Sequence, residues 1–186
     1  MTEEWLARQR FDSTLYPRLA LRGAFTKRVS TALRWIGSGR KVLDVGAGDG
    51  SISERIRMEG NSVTAFDFAE AVSSASRYPG LVIKAGEAHS LPFEDGSFDT
   101  VFAGEILEHY EDPAVLVKEW SRVLKPGGSL VITTPDGKAA SMLHATHKVW
   151  FTRRTLAKLM TECGLRIRRA EIVAEQKTLM MEGVKS

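Results

Sequence analysis

The sequence predicts an α/β fold built on a doubly wound, mostly parallel sheet. Short apolar runs of strand length recur along the chain, and stretches with helical periodicity separate them. The first of these runs, Lys41–Val45, passes through a glycine-rich turn directly into a helix that starts at Ser51. This alternation of strands and helices predicts right-handed crossovers and a ligand site at the carboxyl edge of the sheet.

Turn and cap residues set the boundaries of the predicted elements. Tyr78-Pro79-Gly80 interrupts one helix, and Asp112-Pro113 begins another. Residues 125–128, Lys-Pro-Gly-Gly, predict a turn before the last parallel strand. The predicted strands are 41–45, 62–67, 81–85, 97–103 and 129–134, and the predicted helices between them are 51–58, 69–77 and 112–123.

A further helix is predicted near the N-terminus, from Pro17 to the Gly37-Ser-Gly39 stop. A stripe that can lie on the sheet recurs along it at Leu19, Thr26, Val29, Leu33 and Ile36. We therefore expect a helical cap over residues 1–38 and a ligand-binding domain over residues 39–186, together forming one compact domain. Candidates on the cap for substrate contacts, or alternatively for packing and solubility, are Arg10, Phe11, Tyr16, Arg18 and Arg22.

The C-terminal part is predicted to end with one helix and two strands. Thr152 can cap a helix that runs to Cys163, and Gly164 ends it. Residues 165–173 alternate between apolar and polar side chains, as in a strand at the edge of a sheet. Residues 177–184 can return beside that strand.

Composition limits the classes of function. The chain of 186 residues has no apolar run long enough to cross a bilayer, and its first residues do not resemble a secretory signal. Cys163 is the only cysteine, which excludes an internal disulfide and fits a reducing cytoplasm. The net charge is only +3, but an acidic central part lies between basic ends. This distribution can gather an anionic substrate, or it can reflect solvated faces.

The glycine-rich turn predicts a nucleotide-like ligand. Gly46, Gly48 and Gly50 have the spacing Gly-x-Gly-x-Gly, whereas a dinucleotide fingerprint has its third glycine one residue later. Asp44 lies within the end of the first strand, where a buried carboxylate needs hydrogen-bond donors. Asp67 ends the next strand, where it can accept the two hydroxyls of a ribose. An acid beside the turn also suits a ligand that carries an ammonium group and no phosphates.

These features resemble the class I S-adenosylmethionine-dependent methyltransferases. Residues 86–93, Gly-Glu-Ala-His-Ser-Leu-Pro-Phe, resemble the family segment that holds the adenine ring, and the resemblance covers roughly residues 40–175. It implies a Rossmann-like, mostly parallel seven-stranded sheet with an antiparallel C-terminal edge strand, and S-adenosyl-L-methionine as the cofactor. The cofactor-binding residues that it implies are Asp44, Gly46, Gly48, Gly50, Asp67, Phe68, Glu87, Ala88 and Gly104.

A second group of candidates follows the fourth strand. On a helical turn, residues i, i+3 and i+4 share one face, so Glu105, Glu108 and His109 can converge and hold a divalent cation such as Mg²⁺. This Glu-x-x-Glu-His run resembles that of the ubiquinone-biosynthesis O-methyltransferases. Together with a later His-Lys segment it also resembles the 2′-O-methyltransferases of small RNAs, which implies His147 as a fourth ligand. Glu105 and His109 are the catalytic candidates, and His109 can instead act as a general base without a metal.

The resemblance implies methyl transfer, and we expect an oxygen acceptor on a hydroxylated small molecule. A cation is useful there because a hydroxyl is a poor nucleophile at neutral pH. The alternatives are RNA as the acceptor, or a non-catalytic binding or scaffold protein with this fold. A nicotinamide oxidoreductase is disfavoured by the glycine spacing and by Asp44. We expect a cytoplasmic protein that does not insert into a membrane, and the sequence leaves its oligomeric state open.

Overall fold

The computed structural model of the chain describes residues 23–68, 78, 80–137, 146–173 and 177–186. Its elements are α1 (Gly23–Ile36), β1 (Lys41–Val45), α2 (Ser51–Met58), β2 (Ser62–Asp67), β3 (Ile83–Ala85), β4 (Phe98–Gly104), a single-turn helix (Leu107–His109), α3 (Pro113–Val123), β5 (Leu124–Pro135), α4 (Arg153–Glu162), β6 (Leu165–Val173) and β7 (Thr178–Lys185). The predicted helix at 69–77 and the candidates within the first 22 residues lie outside the described residues. No helix in the described ranges is long and apolar enough to cross a membrane.

The seven strands form one sheet in the order β3-β2-β1-β4-β5-β7-β6. Parallel pairs join β1 to β2 and β4, β2 to β3, and β4 to β5. The last strand, β7, lies between β5 and β6 and runs antiparallel to both, so β6 forms the edge. The predicted fold class is therefore confirmed, with a mostly parallel sheet that ends in antiparallel C-terminal strands.

The carboxyl ends of three parallel strands meet at the centre of the sheet, because β1 lies between β2 and β4. Val45 at the end of β1 pairs with Phe66 of β2 and with Ala103 of β4. The glycine turn after β1, Asp67 at the end of β2 and the segment after Gly104 therefore leave the sheet at one edge. This is the edge at which doubly wound sheets bind ligands.

The prediction of a turn at residues 125–128 is wrong, because these residues form a bulge inside β5. Phe98 of β4 pairs with Leu124 of β5, and Thr100 pairs with Ser129. Between these two pairs β5 contains several more residues than β4, and a glycine in the bulge has φ +76°. The Lys-Pro-Gly-Gly run therefore bends a continuous strand without ending it.

Most of the other predicted boundaries agree with the structure. The Thr152 hydroxyl accepts a hydrogen bond from the Thr155 backbone N–H at 3.2 Å, and the Thr155 hydroxyl reciprocates at the Thr152 N–H, so a capping box begins α4. The Asp112 carboxylate caps α3 by accepting from the Ala114 N–H at 3.1 Å. The strand β3 is shorter than predicted and begins at Ile83.

Two apolar layers cover the sheet. On the first, which we name the α1 face, α1 and α2 pack against the sheet through Ala32, Trp35, Ile36, Val42, Ile56, Phe102 and Val131. On the second, the α3 face, α3 and α4 pack through Leu116, Trp120, Leu156, Leu43, Val101, Leu130 and Ile132. The described part of the N-terminal helix thus lies on the sheet, as its apolar stripe predicts. Successive residues of β5 alternate between the two faces, as in any strand.

Candidate functional site

The turn after β1 has a backbone geometry that favours glycine at three positions. Gly46, Gly48 and Gly50 have φ values of 78°, 56° and 80°. A Cβ atom on Gly46 would in addition lie 2.9 Å from the Cδ1 atom of Ile106. The predicted Gly-x-Gly-x-Gly spacing therefore corresponds to three left-handed residues in one tight turn.

Asp44 is buried on the α1 face at the end of β1. Its Oδ2 atom accepts a hydrogen bond from the Ser53 hydroxyl of α2 at 2.5 Å. Burial raises the pKa of Asp44 to about 7, with a smaller upward contribution from Asp67, while the Ser53 hydrogen bond and Arg28 lower it. The carboxylate thus has the donor that its burial requires, and it joins β1 to the helix after the glycine turn.

Asp67 connects the end of β2 to the same turn. Its Oδ2 atom accepts from the Gly48 N–H at 2.6 Å, and its Oδ1 atom accepts from the Phe68 N–H at 2.7 Å. Burial raises the pKa of Asp67, and these two backbone hydrogen bonds lower it. Each carboxylate oxygen retains acceptor capacity for a further donor, such as a hydroxyl.

The loop after β3 forms the wall next to Asp67. The Glu87 side chain is partly exposed there, and the Ala88 carbonyl oxygen accepts from the Trp120 indole N–H at 3.0 Å. Burial, Glu87 and Asp67 together raise the pKa of Tyr110 to about 12. Sequence reasoning did not single out Tyr110, because one aromatic residue after His109 carries no specific signal.

The segment after β4 begins with a strained residue. Glu105 has φ 55°, a left-handed conformation that is uncommon outside glycine. Its backbone N–H donates to the Thr133 carbonyl oxygen at 2.8 Å, and its Oε1 atom accepts from the Thr133 hydroxyl at 2.9 Å. Gly104 precedes it, where a Cβ would lie 2.9 Å from the Phe102 ring. Contacts with β5 therefore hold a sharp bend at the carboxyl edge.

Arg28 is a second functional candidate that sequence reasoning missed. It lies on α1 and is only 7% exposed. Its Nη1 atom donates to the Thr133 hydroxyl at 3.1 Å and lies 3.2 Å from Oε1 of Glu105. A buried arginine needs such partners. The sequence marks Arg28 only by its position directly before Val29 of the apolar stripe. A solvent-exposed arginine is equally common at such a position.

Three of the four predicted metal ligands, Glu108, His109 and His147, come together at the bend after β4. One ligand atom each from Glu108, His109 and His147 lies within 4.8 Å of the others. The two imidazole rings meet edge to face, with centroids 5.0 Å apart. Glu108 is buried, and its Oε2 atom accepts from the Thr134 hydroxyl at 3.1 Å. Burial and the charge of Glu105 raise the pKa of Glu108 to about 8.

Backbone hydrogen bonds bring the distant His147 to this group. The N–H groups of Lys148 and Val149 both donate to the Glu108 carbonyl oxygen, at 2.7 and 3.2 Å. The Nδ1 atom of His109 lies 3.3 Å from the Thr146 carbonyl oxygen. A carbonyl can only accept, so this contact makes Nδ1 the protonated nitrogen and leaves the lone pair of a neutral His109 on Nε2.

Glu105 is the predicted metal ligand that lies outside this group. Its carboxylate contacts Thr133 and Arg28 instead. Among the residues that the structure describes, the cluster with metal-ligand spacing contains Glu108, His109 and His147. The ligand role of Glu105 stays a prediction.

Comparison with known proteins agrees with the motifs at this edge. Residues 43–132 match the protein family described as a methyltransferase domain. The ubiquinone biosynthesis O-methyltransferase of Xylella fastidiosa is 35% identical over 145 residues, which are 74% of this chain. The matched residues 43–132 belong to the class I S-adenosylmethionine-dependent methyltransferase family. The chain spans 58% of the length of the Xylella protein.

Solved structures share the fold at low sequence identity. A methyltransferase from Aquifex aeolicus superposes with a TM-score of 0.75 at 18% identity, covering 95% of this chain and all of that one. The [4+2]-cyclase SpnF superposes with a TM-score of 0.68 at 17% identity, covering 85% of this chain and 80% of the cyclase. These identities support the fold alone, and the cyclase is an example of a different reaction on the same fold.

Proposed function

We propose that the protein transfers the methyl group of S-adenosyl-L-methionine to a hydroxyl oxygen of a small molecule, assisted by a divalent cation on Glu108, His109 and His147. The observation that carries the proposal is the grouping of these three side chains at the bend after β4, on the same edge as the glycine turn after the adjacent strand β1. An oxygen acceptor also agrees with the name of the Xylella relative.

The adenosine half of the cofactor is proposed to lie toward β2 and β3. Asp67 would accept the ribose hydroxyls there, with Phe68 directly after it. The partly exposed Glu87 carboxylate can accept from the adenine amino group, and Ala88 is fixed beside it by the Trp120 indole. Tyr110 packs against the same apolar cluster that contains Ala88, which supports a place for it on the same wall.

The amino-acid half of the cofactor is proposed to lie between the glycine turn and the bend after Gly104. This half carries an ammonium group and a carboxylate. Glu105 supplies negative charge on that side of the turn, Arg28 supplies positive charge beside it, and Asp44 adds a carboxyl group that can accept hydrogen bonds. Paired opposite charges of this kind complement a zwitterion.

The donor set fits a divalent cation. One carboxylate oxygen and two imidazole nitrogens are ligands that Mn²⁺, Fe²⁺ and Zn²⁺ accept readily, whereas Mg²⁺ prefers oxygen alone. When bound, such a cation lowers the pKa of an acceptor hydroxyl and fixes the acceptor by its oxygen atoms. The Thr134 hydroxyl orients the Glu108 carboxylate, and the Thr146 carbonyl orients the His109 ring.

His109 also has a proposed role if the reaction needs no cation. Its Nε2 lone pair can take the proton of an acceptor hydroxyl, since Nδ1 donates to the Thr146 carbonyl oxygen. The leaving group is already activated as a sulfonium, so alignment and deprotonation of the acceptor are the remaining tasks.

RNA is the second candidate acceptor, and exposed side chains near His147 favour it. Trp150 is 46% exposed, and Lys148, Arg153 and Arg154 of the same stretch are exposed as well. Basic side chains that surround an exposed aromatic ring are typical of surfaces that bind single-stranded nucleic acid. Small-molecule acceptors remain the leading proposal because the family relatives include an O-methyltransferase named for ubiquinone biosynthesis.

The proposal is tested by binding and then by turnover. In calorimetry, S-adenosylmethionine and its demethylated product should bind, and NAD should not. Hydroxylated metabolites and 3′-terminal RNA are then screened as acceptors of a labelled methyl group, with and without EDTA. Binding of NAD in place of S-adenosylmethionine would contradict methyl transfer. Turnover that is unchanged by EDTA would contradict the role of the cation but not methyl transfer.

A further inference from the structure

We infer that the two glutamates of the Glu-x-x-Glu-His run have separate tasks, with Glu105 serving the cofactor side and Glu108 the cation side. We further infer that Thr133 and Thr134 of β5 are the positioning residues that hold the two carboxylates apart. The inference rests on the proposed function, because it assigns this chain's residues to the cofactor and cation proposed there.

Strand geometry places the two threonines on opposite faces of the sheet. Successive side chains of a strand point to opposite sides. Val131 packs in the α1 layer, and Ile132 packs in the α3 layer. Thr133 therefore shares the α1 face with Val131, and Thr134 shares the α3 face with Ile132.

Pairing with β7 gives the same assignment independently. Thr133 lies opposite Met180, which packs in the α1 layer. Thr134 lies opposite Leu179, which packs in the α3 layer. Directly opposite residues of an antiparallel pair project to the same side of the sheet, so the register confirms the two directions.

Each threonine hydroxyl binds one of the two glutamates. Thr133 Oγ1 donates to Glu105 Oε1 at 2.9 Å, and Thr134 Oγ1 donates to Glu108 Oε2 at 3.1 Å. The Arg28 guanidinium adds a second contact to Glu105 at 3.2 Å. A run that can converge on one helical face is thereby divided between two faces of the sheet.

The side chains around each glutamate support this division. Glu105 forms a partly buried ion pair with Arg28, and turning its carboxylate toward a cation would break that pair. Breaking a buried pair is strongly unfavourable because it leaves a charge uncompensated. Glu108 instead meets His109 and His147. These three side chains would hold a cation with three protein ligands, which would leave it able to bind the oxygen atoms of an acceptor, as catalytic metal sites do.

The adjacent threonines supply a matched pair of variants, Thr133→Val and Thr134→Val, each of which removes one hydroxyl and keeps the side-chain shape. Mn²⁺ and S-adenosylhomocysteine binding are measured by calorimetry on the full chain. Thr134→Val should weaken Mn²⁺ binding by about 10-fold or more, with S-adenosylhomocysteine changed by less than about twofold. Thr133→Val should weaken S-adenosylhomocysteine binding by about fivefold, with Mn²⁺ changed by less than about twofold.

Conservative variants distinguish a positioning role of each hydroxyl from general damage to the fold. Thr133→Ser and Thr134→Ser keep the hydroxyl and should restore each affinity to near the wild-type value. Glu105→Gln, a second probe of the α1 side if Thr133→Val does not fold, should leave Mn²⁺ binding within about twofold of wild type, since it removes no cation ligand.

Two different failures can be told apart. If Thr133→Val or Glu105→Gln weakens Mn²⁺ binding as much as Thr134→Val does, Glu105 is a cation ligand and the inference is overturned while the proposed function stands. If the wild-type protein binds S-adenosylhomocysteine but no Mn²⁺, the cation part of the proposed function fails, and the separation of tasks fails with it.

Discussion

The two halves of the proposed site at the carboxyl edge, one for the cofactor and one for the cation, are built differently. The cofactor half is local, because the glycine turn, Asp44 and Asp67 all lie within residues 44–67 and backbone geometry fixes the turn. The cation half joins the bend after β4, the end of β5 and the segment from residue 146 onward. The difference teaches that local constraints leave a mark in the sequence itself, whereas a long-range contact such as that of Arg28 with Glu105 does not, and His147 was expected only from a family resemblance.

The largest expected effect breaks the local half. Gly46→Val should reduce S-adenosylhomocysteine affinity by about 100-fold or more, because a side chain at φ 78° is strained and its Cβ would meet Ile106 at 2.9 Å. Calorimetry measures the affinity, and circular dichroism checks the fold. The matched control is Gly39→Val, at φ 69° but with nothing within 4 Å of its Cβ. Equal affinities of the two variants would contradict a close approach of the cofactor to this turn.

The next effect is on the long-range half. Glu108→Gln should weaken Mn²⁺ binding by about 100-fold, because it replaces a charged ligand of the proposed cation site. Glu111→Gln is the control, since Glu111 is a nearby but largely exposed acid that lies 4.0 Å from Lys148. Manganese electron paramagnetic resonance quantifies free and bound metal. If both variants lose the same affinity, the metal responds to overall charge and not to this cluster.

A smaller effect tests the link between the two strands of the cofactor half. Asp67→Asn should weaken S-adenosylhomocysteine binding by about 10-fold, because an amide offers one acceptor oxygen to the N–H groups of Gly48 and Phe68. Asp99→Asn is the matched control, as Asp99 also accepts a backbone N–H, that of Lys41 at 2.8 Å, but outside the site. A cofactor affinity that Asp67→Asn leaves unchanged would remove Asp67 from the ribose site.

The smallest effect concerns the pH dependence of stability. The folded state holds the Asp44 proton up to about pH 7, whereas an exposed aspartate loses it near 3.8. The contribution of Asp44 to the free energy of unfolding is therefore complete below about pH 4 and falls as pH rises through about 7. Urea unfolding measures the free energy of unfolding of the wild type and of Asp44→Asn across this range. As pH rises, the wild type should lose stability relative to the variant. A constant difference would mean that Asp44 titrates normally in the folded protein.

The same contrast explains what the sequence could predict. The strands and helices with apolar periodicity, the caps at Thr152 and Asp112, and the glycine turn all depend on neighbouring residues, and the structure contains them. The turn predicted at 125–128 failed because pairing with β4 on both sides keeps β5 continuous through its glycines. The turn propensity of these residues does not show whether they form a turn or a bulge within a continuous strand.

The partners of Glu105 lay beyond sequence reasoning, although Glu108, His109 and His147 come together as expected. Helical spacing predicted that Glu105 would join Glu108 and His109, but the backbone after β4 makes a left-handed residue at Glu105 followed by a single-turn helix. Arg28 of α1 forms an ion pair with the Glu105 carboxylate, although the two residues are far apart in the chain. Only the packing of α1 on the sheet makes that contact visible.

The central claim is that one edge of the sheet holds the cofactor on its glycine turn and a cation on its Glu/His cluster. A crystal grown with S-adenosylhomocysteine and Mn²⁺, measured for anomalous scattering, tests both parts at once. The account predicts a manganese peak between Glu108, His109 and His147, with the cofactor sulfur facing it from the turn after β1. A peak elsewhere on the protein, or a crevice at the glycine turn without the cofactor, would contradict the account.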